Sequence, residues 1–140
     1  SAPRFIWAPG SMIEFDEDPA FMFSPKAHER LVIPSHREVM RHFDYPYIHL
    51  HSTQIHTLDN LLDLEELAAI ELTPDYGESI IGLIPAIAKI QKRKPVIFHG
   101  FMTAEEMRAI VDQVPPEGLS IISRVEAVED AFRLRDELAG

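Results

Sequence analysis

Hydrophobic positions along this chain recur in two alternating rhythms. Short β-branched or aromatic runs with period two are separated by longer stretches with a period near 3.6. Met12-Ile13-Glu14-Phe15-Asp16, Tyr47-Ile48-His49-Leu50-His51-Ser52-Thr53, Ala69-Ile70-Glu71-Leu72-Thr73, Pro95-Val96-Ile97-Phe98-His99-Gly100 and Leu119-Ser120-Ile121-Ile122-Ser123 read as strands. Between them, Ser24-Pro25 opens a helix with a capping oxygen and a proline at the first helical position, expected to run to about Phe43. Its stripe is Ala27, Leu31, Val39 and Phe43, flanked by Val32 and Met40, with Pro34 kinking or splitting it. His28, His36 and His42 then fall on the solvent side.

Residues 57–67 predict a leucine-rich helix or two short ones, and residues 79–91 a further helix with a kink at Pro85. Thr103-Ala104-Glu105-Glu106 is a capping box, and Ser123-Arg124-Val125-Glu126 reads as a second one opening the last helix. Strand and helix thus alternate five times. That order predicts an α/β fold of about five β/α units, with parallel strands joined by right-handed crossovers. Residues 1–140 form a single expected domain, with 1–11 as an irregular lead-in around Trp7.

Polar residues recur where the strands end: Asp16, His51, Asp75, His99 and Ser123. In parallel α/β folds that edge binds ligands. Period two puts His49 and His51 on one face, either as metal or anion ligands or as two hydrogen-bonded histidines at a buried strand end. Asp16-Glu17-Asp18 is a solvated acidic loop or a source of acid–base carboxylates.

The 140 residues carry a net charge of −10, which repels nucleic acid, and no apolar run approaches the ~20 residues of a membrane span. A soluble, cytoplasmic protein is expected. Without cysteine, any metal must sit on His, Asp and Glu.

Several stretches resemble the uroporphyrinogen decarboxylase superfamily. They are Asp18-Pro19-Ala20-Phe21-Met22-Phe23-Ser24-Pro25, Pro34 nine residues on, His49-Leu50-His51, Ala69-Ile70-Glu71-Leu72-Thr73-Pro74, and the Val-Ile strand ending at His99. The likeness spans roughly residues 10 to 140 and is similar to decarboxylase-like members whose strand reads His-Leu-Asp. The resemblance implies the C-terminal portion of a TIM (β/α)8 barrel, since a whole barrel takes ~250 residues. It implies a lyase or methyltransferase acting, when full length, on a porphyrin-like or corrinoid-linked methylated substrate. The methyltransferase members bind zinc through His-x-Cys and a later Cys. Here the motif reads as His49-x-His51, a ligand-for-ligand replacement, or one residue out of register as His51-x-Thr53, a loss; Ser123 lies near the second Cys position. The decarboxylase's carboxylate-gripping arginines belong to an N-terminal part not seen here.

The enzyme reading therefore places a divalent metal such as zinc on His49, His51 and His99, with Asp18 and Asp75 as catalytic carboxylates and a small-molecule substrate. The rival is a non-catalytic half-barrel that self-associates, as a homo-oligomer or with the missing half of the barrel, because an open sheet leaves edges uncovered. Inward members of Val96-Ile97-Phe98 and Ile121-Ile122 would then be wet unless the segment around Trp7 folds over them. A more distant alternative is a metal-dependent hydrolase with His-x-His on a barrel strand, though such enzymes carry that motif on their first strand.

Overall fold

A computed structural model describes residues 6–139. Five strands, β1 (Met12–Asp16), β2 (Tyr45–His51), β3 (Ala69–Thr73), β4 (Val96–Phe101) and β5 (Leu119–Arg124), form one parallel sheet in sequence order. Sequential order with crossovers of one hand puts every helix on the same face. The result is an α/β fold of five β/α units, a partial TIM-barrel-like unit. Its helices are α1 (Pro25–Leu31), α2 (Ile33–Met40), α3 (Leu58–Leu62), α4 (Ile80–Gln91), α5 (Ala104–Gln113) and α6 (Val128–Ala139).

Burial follows the period-two pattern. Ile48, Leu50, Ile70, Leu72, Val96 and Phe98 are fully buried in the layer between sheet and helices, together with Met40, Leu58, Leu61, Ile87 and Ile110. The opposite, concave face takes the alternate residues. It carries Glu14 on β1, Tyr47 and His49 on β2, Glu71 on β3, Ile97 and His99 on β4, and Arg124 on β5. Most of these are polar, so the expectation of a wet apolar interior is corrected for β4, while on β5 Ile122, the partner of His99, shares this face and is only half-buried. Val96 and Phe98 face the helices, and Ile97 is itself buried, lining a small cavity with Ile6, Trp7 and Tyr47. Trp7 stays 82% exposed at that rim.

The helix starts follow local chemistry. Ser24 Oγ accepts from the Ala27 N–H at 3.2 Å, and Pro25 sits where its missing N–H costs nothing. Thr103 and Glu106 close a reciprocal capping box at α5. The expected helix over 24–43 splits at Val32, just ahead of Pro34, and the split resets the helical phase. Leu31 (60% exposed) and Val39 (41%) therefore face solvent, while His28, Ile33 and Met40 turn inward, correcting both the expected stripe and the expected solvent position of His28. His42 is exposed as expected.

Residues 52–57 form a 3-10 turn leading into α3. α4 runs unbroken through Pro85, which lies on its exposed side. The second capping box does not form. Strand β5 continues through Arg124, Ser123 Oγ donates to the Met102 and Arg124 carbonyls, and Asp130 accepts from the Ala127 N–H at the start of α6. Residues 6–11 contain no regular element, and the rest of the expected lead-in, 1–5, lies outside the described residues.

Candidate metal centre

Parallel register decides which side chains meet on the concave face. Glu14 is the Cα partner of Tyr47, and His49 is the partner of Glu71. His99 lies two residues beyond Ile97, the partner of Glu71, and Arg124 is the partner of Phe101, two beyond His99. The polar positions therefore climb toward the C-terminal edge as the sheet is crossed. Strand tilt in barrels compensates for such a climb, so staggered residues meet at one level.

At the centre is Glu71, fully buried. Its Oε1 accepts from His49 Nδ1 at 2.9 Å on one side and from His99 Nδ1 at 2.9 Å on the other. Arg124 Nε donates to His99 Nε2 at 2.9 Å. Because a guanidinium only donates, His99 must accept at Nε2 and carry its proton on Nδ1. With His49 likewise donating from Nδ1, its Nε2 is left with a lone pair. That Nε2 faces His51 Nε2 at 3.2 Å, the two rings lying edge to face. Tyr47 Oη donates to Glu14 Oε2 at 2.7 Å.

One carboxylate oxygen each from Glu14 and Glu71 and one ring nitrogen of His49 lie within 4.8 Å of one another. Two carboxylates so close, one of them out of water, repel unless a proton or a cation stands between them. The buried cluster of Glu14, His49 and Glu71 could therefore coordinate a divalent metal. An N,O,O donor set without sulfur suits zinc or another borderline to hard dication.

His51, part-exposed, stands at the mouth. Its Nδ1 is 3.0 Å from Asp75 Oδ1 and its Nε2 is 3.5 Å from Asp18 Oδ1. Asp75 is held by the Ser52 hydroxyl and the Thr53 N–H, both 2.9 Å from Oδ2, and its own N–H donates back to Ser52 Oγ. Partial burial raises the Asp75 carboxyl, but these hydrogen bonds and His51 outweigh it and hold the group below the usual carboxylate range. Asp18 is placed by Gln54, whose Nε2 donates to the Glu17 and Asp18 carbonyls and whose Oε1 accepts from the His51 N–H. Asp18, His51, Gln54 and Asp75 line a cavity of about 390 Å³ with Phe21 and Thr53.

The sequence-predicted residues thus meet at one edge. His49 and His51 are in contact, Asp18 and Asp75 flank His51, and His99 reaches His49 through Glu71. Of the three histidines expected on the metal, only His49 belongs to the converging cluster, because Arg124 engages the Nε2 of His99 and His51 turns to Asp75. The sequence reading did not single out Glu14, Glu71 or Arg124. The available signal was an acid in the middle of an otherwise apolar strand, Ile13-Glu14-Phe15 and Ile70-Glu71-Leu72.

A second cluster lies behind the first on the helix side. Glu17, buried, accepts at Oε2 from His28 Nε2 (3.0 Å) and His36 Nε2 (2.9 Å). Burial raises this carboxyl, but the two imidazoles lower it further, so it lies below the ordinary value. Asn60 Nδ2 donates to the Pro25 carbonyl and faces His28 Nδ1 at 3.1 Å. The carbonyl fixes the amide's orientation, so His28 must accept at Nδ1 and carry its proton on Nε2, toward Glu17. No lone pair on His28 is left for a metal. His28 and His36, expected on the solvent side, are instead the anchors of this ion cluster.

No protein-family model, curated protein or solved structure matches this chain. Among the described residues no helix is long and apolar enough to cross a membrane.

Proposed function

We propose that this chain is the site-bearing part of a metal-dependent β/α-barrel enzyme, of the kind represented by the zinc-dependent methyltransferase branch of the uroporphyrinogen decarboxylase superfamily. On this reading it acts on a corrinoid-linked or porphyrin-like methylated substrate. The observation that carries the metal reading is the convergence of Glu14, His49 and Glu71 within 4.8 Å in a buried setting. The methyltransferase branch is favoured over the decarboxylase by that metal-competent donor set and by the His49-x-His51 motif on β2.

Glu14, His49 and Glu71 would hold the ion, which would supply Lewis acidity to a bound substrate atom. His99 and Arg124 orient Glu71 from behind, as hydrogen-bonded outer partners do for metal ligands. Tyr47 does the same for Glu14. At the mouth, Asp75 fixes the His51 ring, and His51 moves the proton at Nε2, facing Asp18 across the cavity.

Metal analysis of the purified protein tests the reading. About one divalent ion per chain is expected in the wild type, reduced at least about tenfold in His49→Ala and Glu71→Gln. Wild-type protein that binds no zinc, cobalt or manganese under equilibrium dialysis would overturn it.

A second reading, an association module, is favoured by α6. None of its residues is buried, and Val128 (66% exposed) and Phe132 (54%) face solvent beside the open edge of β5. Sedimentation across a tenfold concentration range tests it, a rise in mass being expected and a constant monomer mass ruling it out.

A further inference from the structure

We propose that Arg124 is an anion-binding residue of a subsite beside the metal centre, and that this subsite takes the carboxylate of a flat, aryl-bearing ligand. The inference rests on the site assignment above and adds to it the class of group that the site recognises.

Arg124 ends β5 and lines a cavity of about 530 Å³ formed with His99, Gly100 and Phe101 of β4 and the loop after β3, including Tyr76. That volume lies in the range of small-molecule sites. Among the described residues its guanidinium has one hydrogen bond, Nε to His99 Nε2. Among the described residues it forms no ion pair, like Arg30 and Arg108, although this chain carries ten more acids than bases and Arg37, Arg41, Arg93, Arg133 and Arg135 each pair with a carboxylate. Three acids also line the cavity. Asp75 is held by Ser52 and Thr53, and Glu106 is held by the Thr103 N–H and hydroxyl, which leaves Glu78 as the one acid there without such a hydrogen bond.

The bond to His99 does more than occupy Nε. It holds the guanidinium plane, so the end-on edge of Nη1 and Nη2 remains as a preset fork. That fork matches the two oxygens of a carboxylate, and less entropy is lost on binding because the plane is already fixed. The walls indicate what carries the carboxylate. Tyr76 is fully exposed and Phe101 is 62% exposed, and both line the cavity. Two solvent-facing rings flanking a cation fit an aromatic ligand body, which stacks on or edges against them. Gly100 lets the loop after β3 close against β4: a Cβ there would lie 3.0 Å from Pro74 Cγ. Through His99 and Glu71 the fork is linked by hydrogen bonds to the metal cluster.

Calorimetric titration with benzoate, benzamide and phenyl phosphate tests the proposal, on the protein as purified and after chelator treatment, with metal content measured separately. Saturable benzoate binding is expected in both forms, with benzamide at least about tenfold weaker. In the chelator-treated protein, where bound metal cannot contribute, Arg124→Gln should weaken benzoate at least about tenfold with far-UV circular dichroism unchanged, Arg124→Lys should fall between, and Glu78→Gln should tighten it. Benzamide binding as tightly as benzoate, undiminished benzoate binding in folded Arg124→Gln, or no saturable benzoate binding by the wild type would overturn the proposal. Phenyl phosphate binding more than about tenfold tighter than benzoate would overturn the carboxylate assignment in favour of a phosphate. Should Arg124→Gln unfold, the benzoate–benzamide ratio of the wild type decides. Loss of the metal reading alone leaves these titrations interpretable, since the chelated form is measured too.

Discussion

The molecule contains the same chemical unit twice: a buried glutamate accepting hydrogen bonds from two histidines. Glu71 with His49 and His99 lies on the concave face of the sheet, and Glu17 with His28 and His36 lies on the helix side. Distances and ligand types are nearly identical, yet their surroundings assign them different work. Beside Glu71 stand a second carboxylate and His49, whose Nε2 lone pair faces His51, while His99, one hydrogen bond from Glu71, lines the cavity at Arg124. Among the described residues no second carboxylate converges on Glu17 and its histidines, and Asn60 fixes His28 in the tautomer that faces the carboxylate. Three side chains of the right types therefore do not define a site; the tautomers imposed on them and the open space beside them do.

The comparison breaks most sharply under removal of each glutamate. Glu17→Ala leaves a buried and a part-buried imidazole N–H, those of His28 and His36, without their acceptor and should cost about 3 kcal/mol of unfolding free energy, with metal content unchanged. Glu71→Gln should show the reverse emphasis: bound metal falls at least about tenfold, and the stability loss, read in the metal-free protein by urea denaturation, stays below that of Glu17→Ala. Equal metal loss in the two variants would erase the distinction.

Acid sharpens it next. The folded-state Glu17 carboxyl lies below its ordinary value of 4.5. Its contribution to stability is therefore complete above about pH 4.5 and disappears as the pH falls through the depressed folded value. Urea melts of wild type and Glu17→Gln should differ at pH 7 and converge below that value. A gap that persists at the lowest pH would show that the carboxylate charge is not what the histidines hold.

Asn60→Ala probes the tautomer lock alone. It removes one donor to His28 and one to the Pro25 carbonyl, at an expected cost of about 1–2 kcal/mol, and it leaves His28 free to move its proton to Nδ1. Nitrogen-15 shifts of the His28 ring should report that change, whereas an unaltered Nε2–H tautomer would remove Asn60 from the explanation. Smallest of all, Ser24→Ala and Thr103→Ala should each lower stability by about 1 kcal/mol in thermal melts without changing bound metal.

Much of this is legible in the sequence. Strand–helix alternation prescribed a parallel sheet with a ligand-binding edge, the caps at Ser24 and Thr103 marked their helix starts, and period two put His49 and His51 side by side. These features depend on residues close in sequence, where backbone geometry fixes the outcome.

What lay beyond the sequence depends on register and phase. Glu14, His49 and Glu71 sit on three strands, and only the parallel ladder decides that they share a level. An acid inside an apolar strand signals an unusual inward position, but its partners come from residues 22 to 33 places away. The burial of His28 was hidden for another reason: a break at Val32 resets helical phase, so a stripe counted across Pro34 points the wrong way. Arg124 shows both limits at once. Its sequence neighbourhood reads as a helix cap, whereas in the fold the strand runs one residue further and carries its guanidinium onto His99, because pairing with β4 extends through Phe101. Sequence alone determined the elements and their alternation; tertiary contact decided which polar side chains face one another, since hydrogen-bond partners across a sheet are chosen by strand register and tilt rather than by spacing along the chain.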